Sequence, residues 1–113
     1  MLERHIVIRK SQRLLELYEG PRLLGRYPIA IGRAGTPTPE GRFTIAEKRT
    51  NPGGVFGSRW LGLSSAHYGI HGTNNPASIG QAVSKGCIRM HNRDVERLFE
   101  KVAPGTPVNI YRN

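Results

Sequence analysis

Turn-forming residues recur so closely along this 113-residue chain that mostly short extended runs fit between them. The runs at residues 5–9 and 13–18 are rich in Ile, Val, Leu and Tyr, and Lys10-Ser11-Gln12 between them predicts a hairpin. Glu19-Gly20-Pro21 is a second turn, after which strand character resumes over residues 23–31, with Pro28 confined to an edge. Residues 32–41 hold three glycines and two prolines and read as a loop. Residues 42–45 predict a strand followed by a polar loop through Asn51-Pro52-Gly53-Gly54, and residues 60–63 and 68–71 predict two more strands. From Asn74 to the Ser84 region a loop or one helical turn is expected.

Helical periodicity is clear in one segment. Val95, Leu98, Phe99 and Val102 fall at i, i+3, i+4 and i+7 and make a single apolar stripe. Asn92 is the expected N-cap, Asp94 suits the positive end of the helix dipole, and Pro104-Gly105 stops the helix. Residues 107–111 form a closing strand. Many short strands with one late helix predict a mainly β domain, sandwich or barrel-like, occupying residues 1–113 as a single unit without repeats or linkers.

Seventeen Lys and Arg against eight Asp and Glu leave a net charge of +9. Such a field favours anionic partners. The cations are scattered, and they are not interleaved with aromatics as in a nucleic-acid groove, so no nucleic-acid partner is expected. No apolar run approaches the roughly 20 residues a bilayer span needs, and no charged n-region leading into an apolar stretch opens the sequence. A single cysteine rules out an internal disulfide.

That cysteine, Cys87, lies in Ser84-Lys85-Gly86-Cys87-Ile88-Arg89-Met90, and His71-Gly72 stands sixteen positions upstream (87 − 71 = 16). A thiol with an imidazole partner is the usual pair for nucleophilic catalysis, and cationic neighbours such as Lys85 and Arg89 predict a lowered thiol pKa. Two rivals compete. His67, His71, Cys87 and His91 have spacings that would suit zinc on a helix. On a strand, however, residues four apart are separated by about 13 Å, too far for one ion, so no metal is expected. A buried, inert thiol is the second rival.

Ile70-His71-Gly72-Thr73 together with residues 84–92 resembles the L,D-transpeptidase (YkuD-like) catalytic domain of bacterial cell-wall enzymes. Thr36-Pro37-Thr38-Pro39-Glu40-Gly41-Arg42-Phe43 is similar to that family's Thr-Pro-x-Gly-x-Phe stretch, and residues 105–110 are similar to its last strand. The resemblance implies Cys87 as nucleophile, His71 as base and acid, and the Gly72 carbonyl as the group orienting the imidazole. It places Ser84, Gly86 and Arg89 in the nucleophile loop as substrate-binding or loop-shaping residues, with Arg89 weighed more toward bracing. The Gly86 and Cys87 N–H groups become candidates for the oxyanion hole. Where many relatives carry His, this chain has Lys85.

The implied reaction is cross-linking of peptidoglycan stem peptides through a cysteine thioester, without cofactor and open to carbapenem-type inhibitors. Hydrolysis of the same acyl-enzyme (an L,D-carboxypeptidase), a non-catalytic wall-binding module and a basic nucleic-acid binder are the alternatives. The implied location is the wall or the spore envelope; the oligomeric state stays open.

Overall fold

In the computed structural model, which describes residues 2–113, the two β-prone runs at the start of the chain become a hairpin of β1 (Arg4–Arg9) and β2 (Leu14–Glu19). Ile6 pairs with Leu17 and Ile8 with Leu15, and all four side chains are fully buried. Alternation puts them on one face, because successive side chains of a strand point to opposite sides.

β3 (Arg22–Gly32) is long enough to serve two neighbours. Its first half pairs with β2, and its second half turns to pair with β8 (Ile88–Met90), while its end takes β7 (Ala82–Ser84) in parallel. The remaining strands are β4 (Gly41–Thr50), β5 (Arg59–Leu63), β6 (Gly69–His71) and β9 (Pro107–Tyr111). Hydrogen-bonded neighbours run β2-β1-β9-β4-β5-β6-β8-β3, and β3 returns to β2. The circuit therefore closes, with β7 on its rim. Closure removes the unpaired edges that would otherwise template aggregation.

Ile6, Ile8, Leu15, Leu17, Ile70 and Ile88 belong to one buried cluster inside the barrel. The single α-helix among the described residues, α1 (Asn92–Lys101), adds Val95 and Leu98 to it; Phe99 is half-buried under the Lys48 ammonium, 4.1 Å above its ring. Lys48 Nζ also donates to the Phe99 and Val102 carbonyls at 2.6 and 2.8 Å, so a side chain from β4 satisfies the orphan acceptors at the helix C-terminus.

The barrel alternative, the hairpin and the late helix agree with the sequence reading. Three details differ. The polar run after residue 45 continues β4 to Thr50, paired with β5, because its outward face needs no apolar residues. β7, in a stretch expected as loop or one helical turn, has three residues, too few for periodicity to register. Finally, His91 rather than Asn92 occupies the N-cap, with no side-chain capping bond, and Asn92 is the first helical residue.

Candidate active site

β6 and β8 are parallel neighbours in register, Ile70 beside Ile88 and His71 beside Arg89. Cys87, immediately before β8, and His71, at the end of β6, thus come to one cleft of about 550 Å³. A shallower depression of about 600 Å³ over His5, Tyr18 and Tyr111 is larger but holds no thiol.

His71 is only 3% exposed. Trp60 from β5 stacks on its ring at 5.8 Å and Phe56 meets it edge-on at 5.0 Å. Its Nδ1–H donates to the Gly72 carbonyl at 2.5 Å, since that oxygen can only accept. The bond selects the tautomer with an unprotonated Nε2, the form a general base needs. Burial pushes the imidazole pKa down to about 4; the Gly72 bond opposes this and the Arg89 charge adds to it. At neutral pH the imidazole carries no charge.

Cys87 is half-buried, and its S–H donates to the His67 carbonyl at 3.6 Å. Burial raises the thiol pKa above its ordinary value, although a Gly69 backbone hydrogen bond and the Arg89 charge pull the other way. The expected lowering by cationic neighbours is therefore overturned: desolvation outweighs the cation. At rest the cleft holds a neutral thiol and a neutral imidazole.

Hydroxyls hold the loop that carries the thiol. Ser84 Oγ donates to the Cys87 carbonyl at 2.7 Å and accepts the Gly86 N–H at 3.1 Å. From residues 33–40, Thr38 Oγ1 donates to the Gly86 carbonyl at 2.8 Å and Thr36 Oγ1 to the Ser84 carbonyl at 3.0 Å. Gly86 has φ +120° with the Tyr68 ring against its Cα, so a side chain there would meet both strain and a clash. The Gly86 N–H, one of the two expected oxyanion donors, is engaged by Ser84 Oγ in the resting structure. Arg89 lines the cleft and has no ion-pair partner among the described residues. Lys85 and Arg33 stand at the same cleft. Among the described residues no three His, Cys, Asp or Glu gather as a metal site requires.

The sequence profile of the L,D-transpeptidase catalytic domain (YkuD) matches residues 3–110. The chain belongs to this family. YkuD of Bacillus licheniformis is 58% identical over 93% of the chain and YkuD of Bacillus subtilis 56% identical over 96%; both are named, provisionally, as L,D-transpeptidases. The chain spans 64% and 66% of those relatives' lengths. A solved L,D-transpeptidase 3 of Mycobacterium tuberculosis superposes with a TM-score of 0.87 at 20% identity, covering 97% of this chain and 61% of its own. The same protein is also solved with a faropenem-derived adduct, with a TM-score of 0.85 at 20% identity, covering 96% and 60%. At that identity the likeness concerns the fold.

Within this L,D-transpeptidase domain, the sequence reading named Cys87, His71 and the Gly72 carbonyl but not the walls around the base. Trp60 reads as a strand residue and Phe56 carries no signal in the sequence; only contact with His71 reveals them as walls of the base. Thr36 and Thr38 entered through the family's motif, and the hydrogen bonds now give that motif a physical task.

Proposed function

We propose that this chain is the catalytic domain of a cysteine-dependent peptidoglycan L,D-transpeptidase. Cys87 Sγ attacks the carbonyl carbon of the third residue of a donor tetrapeptide stem while His71 Nε2 accepts the thiol proton. Collapse of the tetrahedral intermediate breaks the bond to the terminal D-alanine, whose amine leaves with the proton from His71. A thioester remains on Cys87. An amine of a second stem then attacks it, giving a proton to His71; the thiolate departs and recovers that proton, and a new amide joins the stems.

The observation that carries this reading is the His71 Nδ1–H bond to Gly72, which leaves Nε2 unprotonated in a cleft shared with the only thiol. With the Gly86 N–H occupied, the Cys87 N–H is the proposed oxyanion donor. Val55, Phe56 and Val83 line the cleft yet are more than a third exposed, an apolar wall that suits an acyl-enzyme awaiting an amine rather than water. Arg89, unpaired in the cleft, suits a substrate carboxylate. The wall, an anionic matrix, is the proposed site of action of a domain of charge +9.

Incubation of a purified tetrapeptide stem with an acceptor amine tests the reaction. D-alanine release with formation of the joined product is expected; tripeptide alone, with acceptor present, would replace transfer by hydrolysis. Imipenem is expected to leave a covalent mass increment on Cys87 that is absent from Cys87→Ala.

A further inference from the structure

Asn92 spends its side chain in an unusual way for the first residue of a helix. Its Oδ1 accepts the Ser58 and Thr73 N–H groups, each at 3.1 Å, and its Nδ2 donates to the Thr73 carbonyl at 3.0 Å. The amide therefore grips both backbone groups of Thr73, two residues beyond His71, where β6 has already ended. Glycines clear the way for it: a Cβ on Gly57 or on Gly72 would collide with Asn92 Oδ1. On the next turn of α1, Glu96 accepts the Ser58 hydroxyl at 2.7 Å and secures the Ser58 side of this clasp.

The Thr73 N–H and the Gly72 carbonyl belong to the same peptide group. That group is planar, with its N–H and C=O directed oppositely. One end receives the His71 Nδ1–H and the other is held by Asn92. Fixing the direction of the N–H thus fixes the direction of the carbonyl that orients the imidazole. A peptide donating from its N–H is also a better acceptor at its oxygen, since linked hydrogen bonds polarise one another.

We propose that Asn92 is a positioning residue for His71, acting through the Gly72–Thr73 peptide as a neutral relay where a triad would place a carboxylate. The inference rests on His71 serving as the base. The titratable and charged groups lining the imidazole's cleft are Arg89 from β8, Lys85, Arg33, His67 and Cys87, and Glu96 of α1 stands behind Ser58; Trp60 and Phe56, which contact the ring, are uncharged.

Two variants test the relay. Asn92→Ala removes all three bonds, whereas Asn92→Asp keeps two acceptor bonds, suits the positive helix end and places a negative charge behind the peptide. Nitrogen NMR of the His71 ring is expected to show a single Nδ1–H tautomer in the wild type and loss of that uniqueness in Asn92→Ala. In Asn92→Asp the imidazole pKa is expected to rise, because a carboxylate favours the imidazolium. The rate constant for Cys87 acylation by imipenem should fall about 10- to 100-fold in Asn92→Ala, as misplacing a catalytic group does, with imipenem affinity unchanged within about twofold. At pH above its new pKa, Asn92→Asp should recover much of that rate. A residue that merely held the fold would lower the melting temperature and leave the His71 tautomer and titration untouched in both variants; that result would overturn the proposal. Should imipenem fail to modify wild-type Cys87, the catalytic reading falls, and the ring titration still decides whether Asn92 sets the imidazole.

Discussion

Glu16 and His71 are equally buried, each 3% exposed, and the protein treats them in opposite ways. Around Glu16 stand three donors: Arg9 Nε at 2.8 Å, Arg26 Nε at 3.1 Å and the Tyr18 hydroxyl at 3.2 Å. Burial pushes its carboxyl pKa up, but these partners together bring it below the ordinary value, so the charge persists. His71 has two aromatic rings and one backbone carbonyl, and it loses its charge instead. Desolvation is common to both; the supply of partners decides whether an ion or a neutral base results. A barrel wall can thus hold a structural carboxylate on one side and a proton acceptor on the other.

The comparison is broken most severely by removing the base. His71→Ala is expected to slow imipenem acylation of Cys87 about a thousandfold, within the range of general-base contributions, as followed by intact-protein mass against time. Acidification separates the two groups by pH. The unfolded chain takes up a proton as pH falls through 6.5, while folded His71 resists until about 4, so stability present above 6.5 is lost across that window. The loss amounts to roughly 3 kcal/mol. Glu16, with its lowered pKa, keeps its contribution until pH falls below 4.5. Urea unfolding at pH 7 and pH 5 should therefore show a decline that His71→Ala lessens and Glu16→Gln does not. The smallest effect belongs to Glu16→Gln itself. Arg9 and Arg26 are exposed enough to rehydrate, with 32% and 56% of their side-chain surface in solvent. The loss should be about 2 kcal/mol in urea unfolding, with the acylation rate unchanged. Slower acylation in that variant would tie the two regions together.

Legibility in the sequence followed the length scale of each signal. The β-prone runs at residues 5–9 and 13–18 with a turn between them announced the hairpin, and the stripe that includes Val95 and Leu98 found the helix. Cys87 and His71 stood out because their residue types are reactive, and the register of two adjacent strands brings them together. The misreadings share a cause. Arg89 and Lys85 near the thiol are visible in the sequence, but the burial that raises the thiol pKa is a property of the assembled cleft. Asn92 precedes an apolar stripe as a cap would, and only the arrival of Thr73 and Ser58 gives its amide different work. Likewise the Gly86 N–H is claimed by a serine hydroxyl two residues away, a choice that spacing alone does not reveal.

The pairing of β9 with both β1 and β4 has a consequence for the order of folding. Ile6 is matched to Val108, a separation of 102 residues (108 − 6 = 102), so β1 stays unsealed until nearly the whole sequence is in place. Such long-range closure is slow, because loop entropy is lost before contacts compensate. During that delay β1 and β4 offer free hydrogen-bonding edges, which makes the half-made domain prone to join its own kind. Removing the five residues of β9 should accordingly act less like trimming a terminus than like withdrawing the keystone of an arch.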